Sequence, residues 1–199
     1  MTKMTARLAA ALLALSAAGS AFASDPVYAP PGTVNGASYT FEAVATGEVY
    51  AYFLSQSAAY SEQLGMATAD STVALGAVGL DNHASSRGSW IDLGPVTANE
   101  VVTFFINVTN TGLTFSSQVS ENADGTQHVY STAFAGSGSI PAGTFISFED
   151  LANNHSDHDY NDTAFVVTNV VAIPEPANVA LLLAGLGLVG IAARKRRGA

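Results

Sequence analysis

The sequence predicts an all-β protein, an antiparallel β-sandwich of about eight or nine short strands. An N-terminal signal peptide and a C-terminal transmembrane helix flank it. Three observations carry this expectation. From residue 38 to residue 171, short runs rich in Val, Ile, Phe, Tyr and Thr recur, separated by Gly, Asn, Asp or Pro. The same region has one short helical candidate, Ser57–Leu64, and no long amphipathic period. Both ends of the chain differ in composition from this middle.

Lys3 and Arg7 form a basic start, Leu8–Ala18 an apolar run, and Ala21-Phe22-Ala23 a small-x-small cleavage site. Residues 1–23 therefore read as a secretory signal cut before Ser24 by signal peptidase. Ser24–Gly36, with three prolines, reads as an extended arm leading into the domain.

The expected strands are Ser38–Val44, Glu48–Ser55, Thr72–Leu80, Ser89–Leu93, Val101–Thr109, Leu113–Val119, Gln127–Phe134, Thr144–Glu149 and Ala164–Val171. Asn110-Thr111-Gly112 and Asn122-Ala123-Asp124-Gly125 supply turn chemistry between them. No internal repeat or linker divides residues 24–173, so they read as one domain large enough for a core. Outside the two ends, fifteen acidic residues face one basic residue, Arg87, a net charge of −14. Such a surface repels nucleic acid and anionic lipid and attracts divalent cations. The apolar strands argue against disorder, the ordinary reading of so acidic a segment. There is no cysteine, which excludes disulfides, thiolate catalysis and thiolate metal sites.

Residues 174–199 have three parts. Pro174-Glu175-Pro176 is an extended, exposed break that cannot continue a strand or a helix interior. Ala177–Ala193 is an uncharged run whose helix would reach roughly 26 Å, just under the hydrocarbon thickness of a bilayer. Arg194-Lys195-Arg196-Arg197 would hold its end on the cytoplasmic side, with everything before Pro174 outside. This order of parts resembles the PEP-CTERM sorting tail of exopolysaccharide-producing Gram-negative bacteria. The resemblance implies recognition by an exosortase, transient inner-membrane anchoring through 177–193, processing near Pro174–Pro176, and release to the cell surface or extracellular matrix.

The chemistry concentrates in Glu149–Asp162, where five carboxylates, three asparagines and two histidines stand within 14 residues between two apolar strands. Like charges at this density are tolerated where a cation neutralises them, and Ca²⁺ takes six to eight oxygen ligands of these types. Asp157, Asp159 and Asn161 alternate as in the first half of an EF-hand loop. Asp162 and Thr168 occupy the positions that loop reserves for Gly and Glu, so the stretch is not an EF-hand. Phe148-Glu149-Asp150-Leu151 and Asp159-Tyr160-Asn161-Asp162, running into Phe165-Val166-Val167, resemble the signature of the DUF4114 family of β-rich exported bacterial domains. That resemblance implies a Ca²⁺-binding or adhesive surface module, with Glu149, Asp150, Asp157, Asp159, Asn161 and Asp162 as cation ligands. Asn153-Asn154-His155-Ser156 replaces the glycines common in that family's loop.

Other readings compete. The loop would otherwise be a solvated acidic turn whose side chains cap backbone amides. His155 and His158 could pair on Zn²⁺ with Asp157 or Asp159. Asn122, Asp124 and Asp81-Asn82 could form a second cation loop, or plain turns. Trp90 and neighbouring tyrosines could form a sugar-binding face, although a lone tryptophan is more commonly core. His83 and His128 have no assigned place. No nucleophile elbow, phosphate loop or His-Glu-x-x-His motif is present. The expected function is thus non-enzymatic: a secreted, Ca²⁺-stabilised β-sandwich with a structural or adhesive role beside exopolysaccharide in a biofilm. A Ca²⁺-dependent carbohydrate-binding module and a polysaccharide hydrolase are the alternatives.

Overall fold

The computed structural model describes residues 28–68 and 79–175. The signal peptide with Ala21 and Ala23, most of the strand expected at Thr72–Leu80, and the tail from Pro176 through Arg194–Arg197 lie outside the described residues. Eleven strands are described: β1 Tyr39–Ala43, β2 Gly47–Gln56, β3 Glu62–Thr68, β4 Gly79–Asp81, β5 Trp90–Val96, β6 Val101–Val108, β7 Leu113–Ser116, β8 Val129–Phe134, β9 Gly143–Phe148, β10 Thr163–Val167 and β11 Val170–Pro174. A 3₁₀ turn at Val119–Glu121 is the one helical element among the described residues. No helix among them is long and apolar enough to cross a membrane.

All pairings are antiparallel and form two sheets. One runs β11-β1-β6-β3-β4, with β7 also pairing β6; the other runs β5-β2-β10-β9-β8. β6 shows why they face each other. Val102, Phe104, Ile106 and Val108 are buried while the residues between them are partly exposed, the alternation of a strand with one face on the core. They join Val49, Ala51 and Phe53 of β2 and Phe165 and Val167 of β10 in one apolar cluster. β10 is buried at every position because its outer face is covered too. There Ala164 and Val166 pack with Leu54, Phe134, Ile140 and Phe145, and Tyr28 of the arm lies edge-on to Phe145.

The strand count exceeds the sequence expectation for two physical reasons. Ser57–Leu64 is not a helix: β3 begins at Glu62 and pairs β6 over seven residues, so tertiary pairing overrides a weak local preference. The run Ala164–Val171 is two strands in different sheets. Asn169 is left-handed (φ 60°), and its side chain exchanges hydrogen bonds with the backbone of Ala45 (3.0 and 2.9 Å), turning the chain from β10 into β11. Leu113–Val119 also ends early. Asn122 bonds the Ser116 amide and carbonyl (2.7 and 3.0 Å), closing β7 at Ser116.

Candidate metal centre in the β9–β10 loop

β9 and β10 are neighbours in register, Phe148 opposite Thr163, and Glu149–Asp162 joins them. A hairpin needs about two to five loop residues. The surplus here folds back on itself. Glu149 is buried, accepting the Tyr160 amide at Oε1 (2.6 Å) and the Ser156 hydroxyl at Oε2. Asp157 Oδ1 accepts the Asp159 amide (3.3 Å), and Asp159 accepts both the backbone amide (3.1 Å) and the side-chain amide of Asn161. His158 and Tyr160 are left-handed, φ 56° and 55°. Each such non-glycine residue costs about 1 kcal/mol. The buried Tyr160 ring offsets this: its hydroxyl donates to Gln127 O (3.0 Å) and accepts the Asn35 amide (2.7 Å). The arm closes over the loop, Gly32 N–H donating to Asp157 O (2.8 Å).

Glu149, Asp157 and Asp159 each offer a carboxylate oxygen within 4.8 Å of the other two. Burial raises the Asp159 pKa; the Asn161 amide opposes this, while the charges of Asp157 and Glu149 add to it. Oxygen donors of this kind suit a hard cation, and adjacent carboxylates lower their mutual repulsion by sharing one. Asn161 serves this group by holding Asp159. His155 is exposed and His158 Nδ1 meets Ser156 Oγ (2.9 Å); neither enters the group.

Asp150 and Asp162 lie elsewhere. Asp162 Oδ2 accepts the Asp150 amide (2.8 Å), and both carboxylates act on Glu62, which is fully buried at the start of β3. Burial pushes Glu62 up to about 10, with contact to the Asp150 carboxyl and the charges of Asp150, Asp162 and Asp81 adding. Burial also pushes Asp162 up to about 8, against the Asp150 N–H and with the charges of Asp150, Glu149 and Asp159. Sequence reasoning missed Glu62. A single glutamate before Gln-Leu-Gly-Met carries no signal in a stretch expected to be helical.

Asp124 and Asn122 are fully engaged structurally. Asp124 accepts from the Asn153 and Thr126 amides (2.9 and 3.1 Å) and faces Nε2 of buried His128 (3.0 Å). Burial alone would raise its pKa, but these hydrogen bonds hold it well below the usual carboxylate range. His128 stacks on Phe115, and its Nδ1 faces Glu149 O (3.2 Å), so it ties the loop's first residue to the core. Asp124→Ala leaves His128 and two amides without their acceptor. We expect a loss of about 2–4 kcal/mol in chemical denaturation, with Asp124→Asn recovering part of it.

At the other end, Pro174 closes β11 opposite Tyr39, so the strand continues into the expected break; a sheet edge tolerates proline. Glu175 docks there as well, its amide donating to Ser38 O (2.8 Å) and its carboxylate accepting Thr40 Oγ1 (3.1 Å). Trp90 is 60% exposed against Tyr50, not core.

A two-sheet antiparallel domain with a carboxylate-rich loop, ending where a sorting signal begins, defines an exported β-rich module. Residues 95–169 match the family model described as a domain of unknown function, DUF4114, and residues 172–197 match the PEP-CTERM protein-sorting motif. The chain is thus similar to DUF4114 over less than half its length, and its 172–197 segment matches the motif that exosortases recognise, which indicates an exported protein anchored at the membrane before processing. No curated protein and no solved structure matches it.

Proposed function

We propose that the β9–β10 loop binds Ca²⁺ and that the ion orders an exported module with a structural or adhesive role at the cell surface or in the extracellular matrix. The convergence of Glu149, Asp157 and Asp159 within 4.8 Å supports this reading. The described residues hold one lysine or arginine, Arg87, so side-chain cations are scarce against their acids. The role of the ion is neutralisation: it joins a buried glutamate to two loop aspartates and couples folding to the high-calcium exterior. Before processing, the inner membrane would hold the chain through 177–193; signal peptidase and an exosortase would act on its ends, and exopolysaccharide is the proposed neighbour after release. No catalytic role is proposed. Calorimetric titration of the full chain in detergent should show saturable Ca²⁺ binding, weakened at least roughly tenfold in Asp157→Asn with Asp159→Asn. Equal binding by that variant would sink the assignment.

Exposed Trp90 against Tyr50, ring centroids 5.7 Å apart, favours a second reading as a carbohydrate-binding module. Retention on the host exopolysaccharide, lost in Trp90→Ala with the unfolding midpoint unchanged, would support it. Equal retention by Trp90→Ala would remove it.

A further inference from the structure

We propose a second cation site, spanning the two sheets, in which Glu62 of β3 and Asp150 of the β9–β10 loop are ligands to a hard divalent cation and Asp162 adds charge. Both oxygens of the Glu62 carboxyl and Oδ2 of Asp150 are buried without a hydrogen-bond partner. Glu62 is 0% and Asp150 3% exposed, so bulk solvent does not reach them. Two ionised carboxylates only accept hydrogen bonds, so without an ion Glu62 and Asp150 can satisfy each other only by holding a shared proton, which a cation would replace. The amides beside them are engaged elsewhere. The Glu62 amide goes to Asn82 Oδ1 (2.9 Å), the Asn82 side-chain amide to Tyr60 O (2.9 Å), and the Asp150 amide to Asp162. Buried acids aimed at one another with no donor are costly, and a shared cation removes that cost.

The donor set is oxygen alone, which suits Ca²⁺ or Mg²⁺ rather than a metal preferring nitrogen or sulfur. Glu62 belongs to the sheet of β3 and β6, whereas Asp150 and Asp162 flank β9 and β10 of the other sheet. An ion here clamps the two sheets where the loop leaves them. Glu62 also lies outside the matched segment 95–169, so the site needs strands beyond it.

This extends the cation-binding reading above, and the test separates the two. The full chain in detergent is titrated with Ca²⁺ and with Mg²⁺ by equilibrium dialysis, as wild type, Glu62→Gln, and Asp157→Asn with Asp159→Asn. The expected result is two ions for wild type and one for each variant. Asp150→Asn should reproduce the loss seen in Glu62→Gln, and far-UV circular dichroism confirms that each variant is folded. Glu62→Gln and Asp150→Asn that bind as many ions as wild type, with equal affinity, overturn the second site and mean that a shared proton neutralises the pair. Loss in Glu62→Gln with no loss in the double aspartate variant keeps this site and overturns the loop site instead.

Discussion

Millimolar Ca²⁺ should raise the thermal unfolding midpoint of the EDTA-treated chain by about 5–10 °C. A ligand that binds only the native state at a hundredfold excess over its Kd stabilises by about 2.7 kcal/mol. For a domain of roughly 150 residues, each kcal/mol moves the midpoint by about 2–4 °C. Glu149 anchors the effect because it is buried and already held by Tyr160 and Ser156, so the ion has to order only Asp157 and Asp159. Asp157→Asn with Asp159→Asn should remove the share of the rise that the loop site supplies while leaving the EDTA midpoint equal or higher, since two repelling charges are gone. A rise with Zn²⁺ alone would move the site to His155 and His158. No rise with any ion would leave the loop as an acidic turn.

The second large effect is on pH dependence in EDTA. Glu62 and Asp162 are raised in the folded state, to about 10 and about 8, from ordinary values of 4.5 and 3.8. The folded chain keeps protons that the unfolded chain has released, so the stability these groups contribute is full below about pH 4 and is lost as pH climbs toward their folded values. Asp124 has the opposite sign. Its pKa is lowered, so its contribution is present above its ordinary value of 3.8 and is lost as pH falls through acid. Ion-free stability should therefore peak at about pH 4–5 and fall by up to about 2.7 kcal/mol per pH unit between pH 5 and 7, less steeply toward pH 8 as Asp162 ionises, read from urea midpoints. Saturating Ca²⁺ should flatten that slope, because an ion holds the carboxylates ionised. A flat EDTA profile would mean that Glu62 and Asp162 meet solvent in the folded chain.

Much of this protein is local chemistry. Strand alternation at Val102, Phe104, Ile106 and Val108 comes from a period of two, which any window of β6 displays. The turns at Asn110-Thr111-Gly112 and Asn122–Gly125 form because Gly112 and Gly125 accept left-handed backbone (φ 73° and 65°). The sorting motif is a linear order of residues, and the density of acids in Glu149–Asp162 is plain in composition.

What could not be read locally depends on pairing between distant segments. β3 is a strand because β6 lies beside it, and Ser57–Leu64 carries no period strong enough to announce that. The break at Asn169 depends on Ala45, 124 residues away, whose backbone the asparagine side chain takes up. The division of the acidic loop is of the same kind. Consecutive residues of an extended chain point to opposite sides, so the neighbours Glu149 and Asp150 serve different groups, one with Asp157 and Asp159, the other with Glu62 from the opposing sheet. The sequence alone shows that the acids are crowded. Which of them share a charge problem is decided by the sheets that bring Glu62 to Asp150, because carboxylate repulsion and burial act through space and not along the chain.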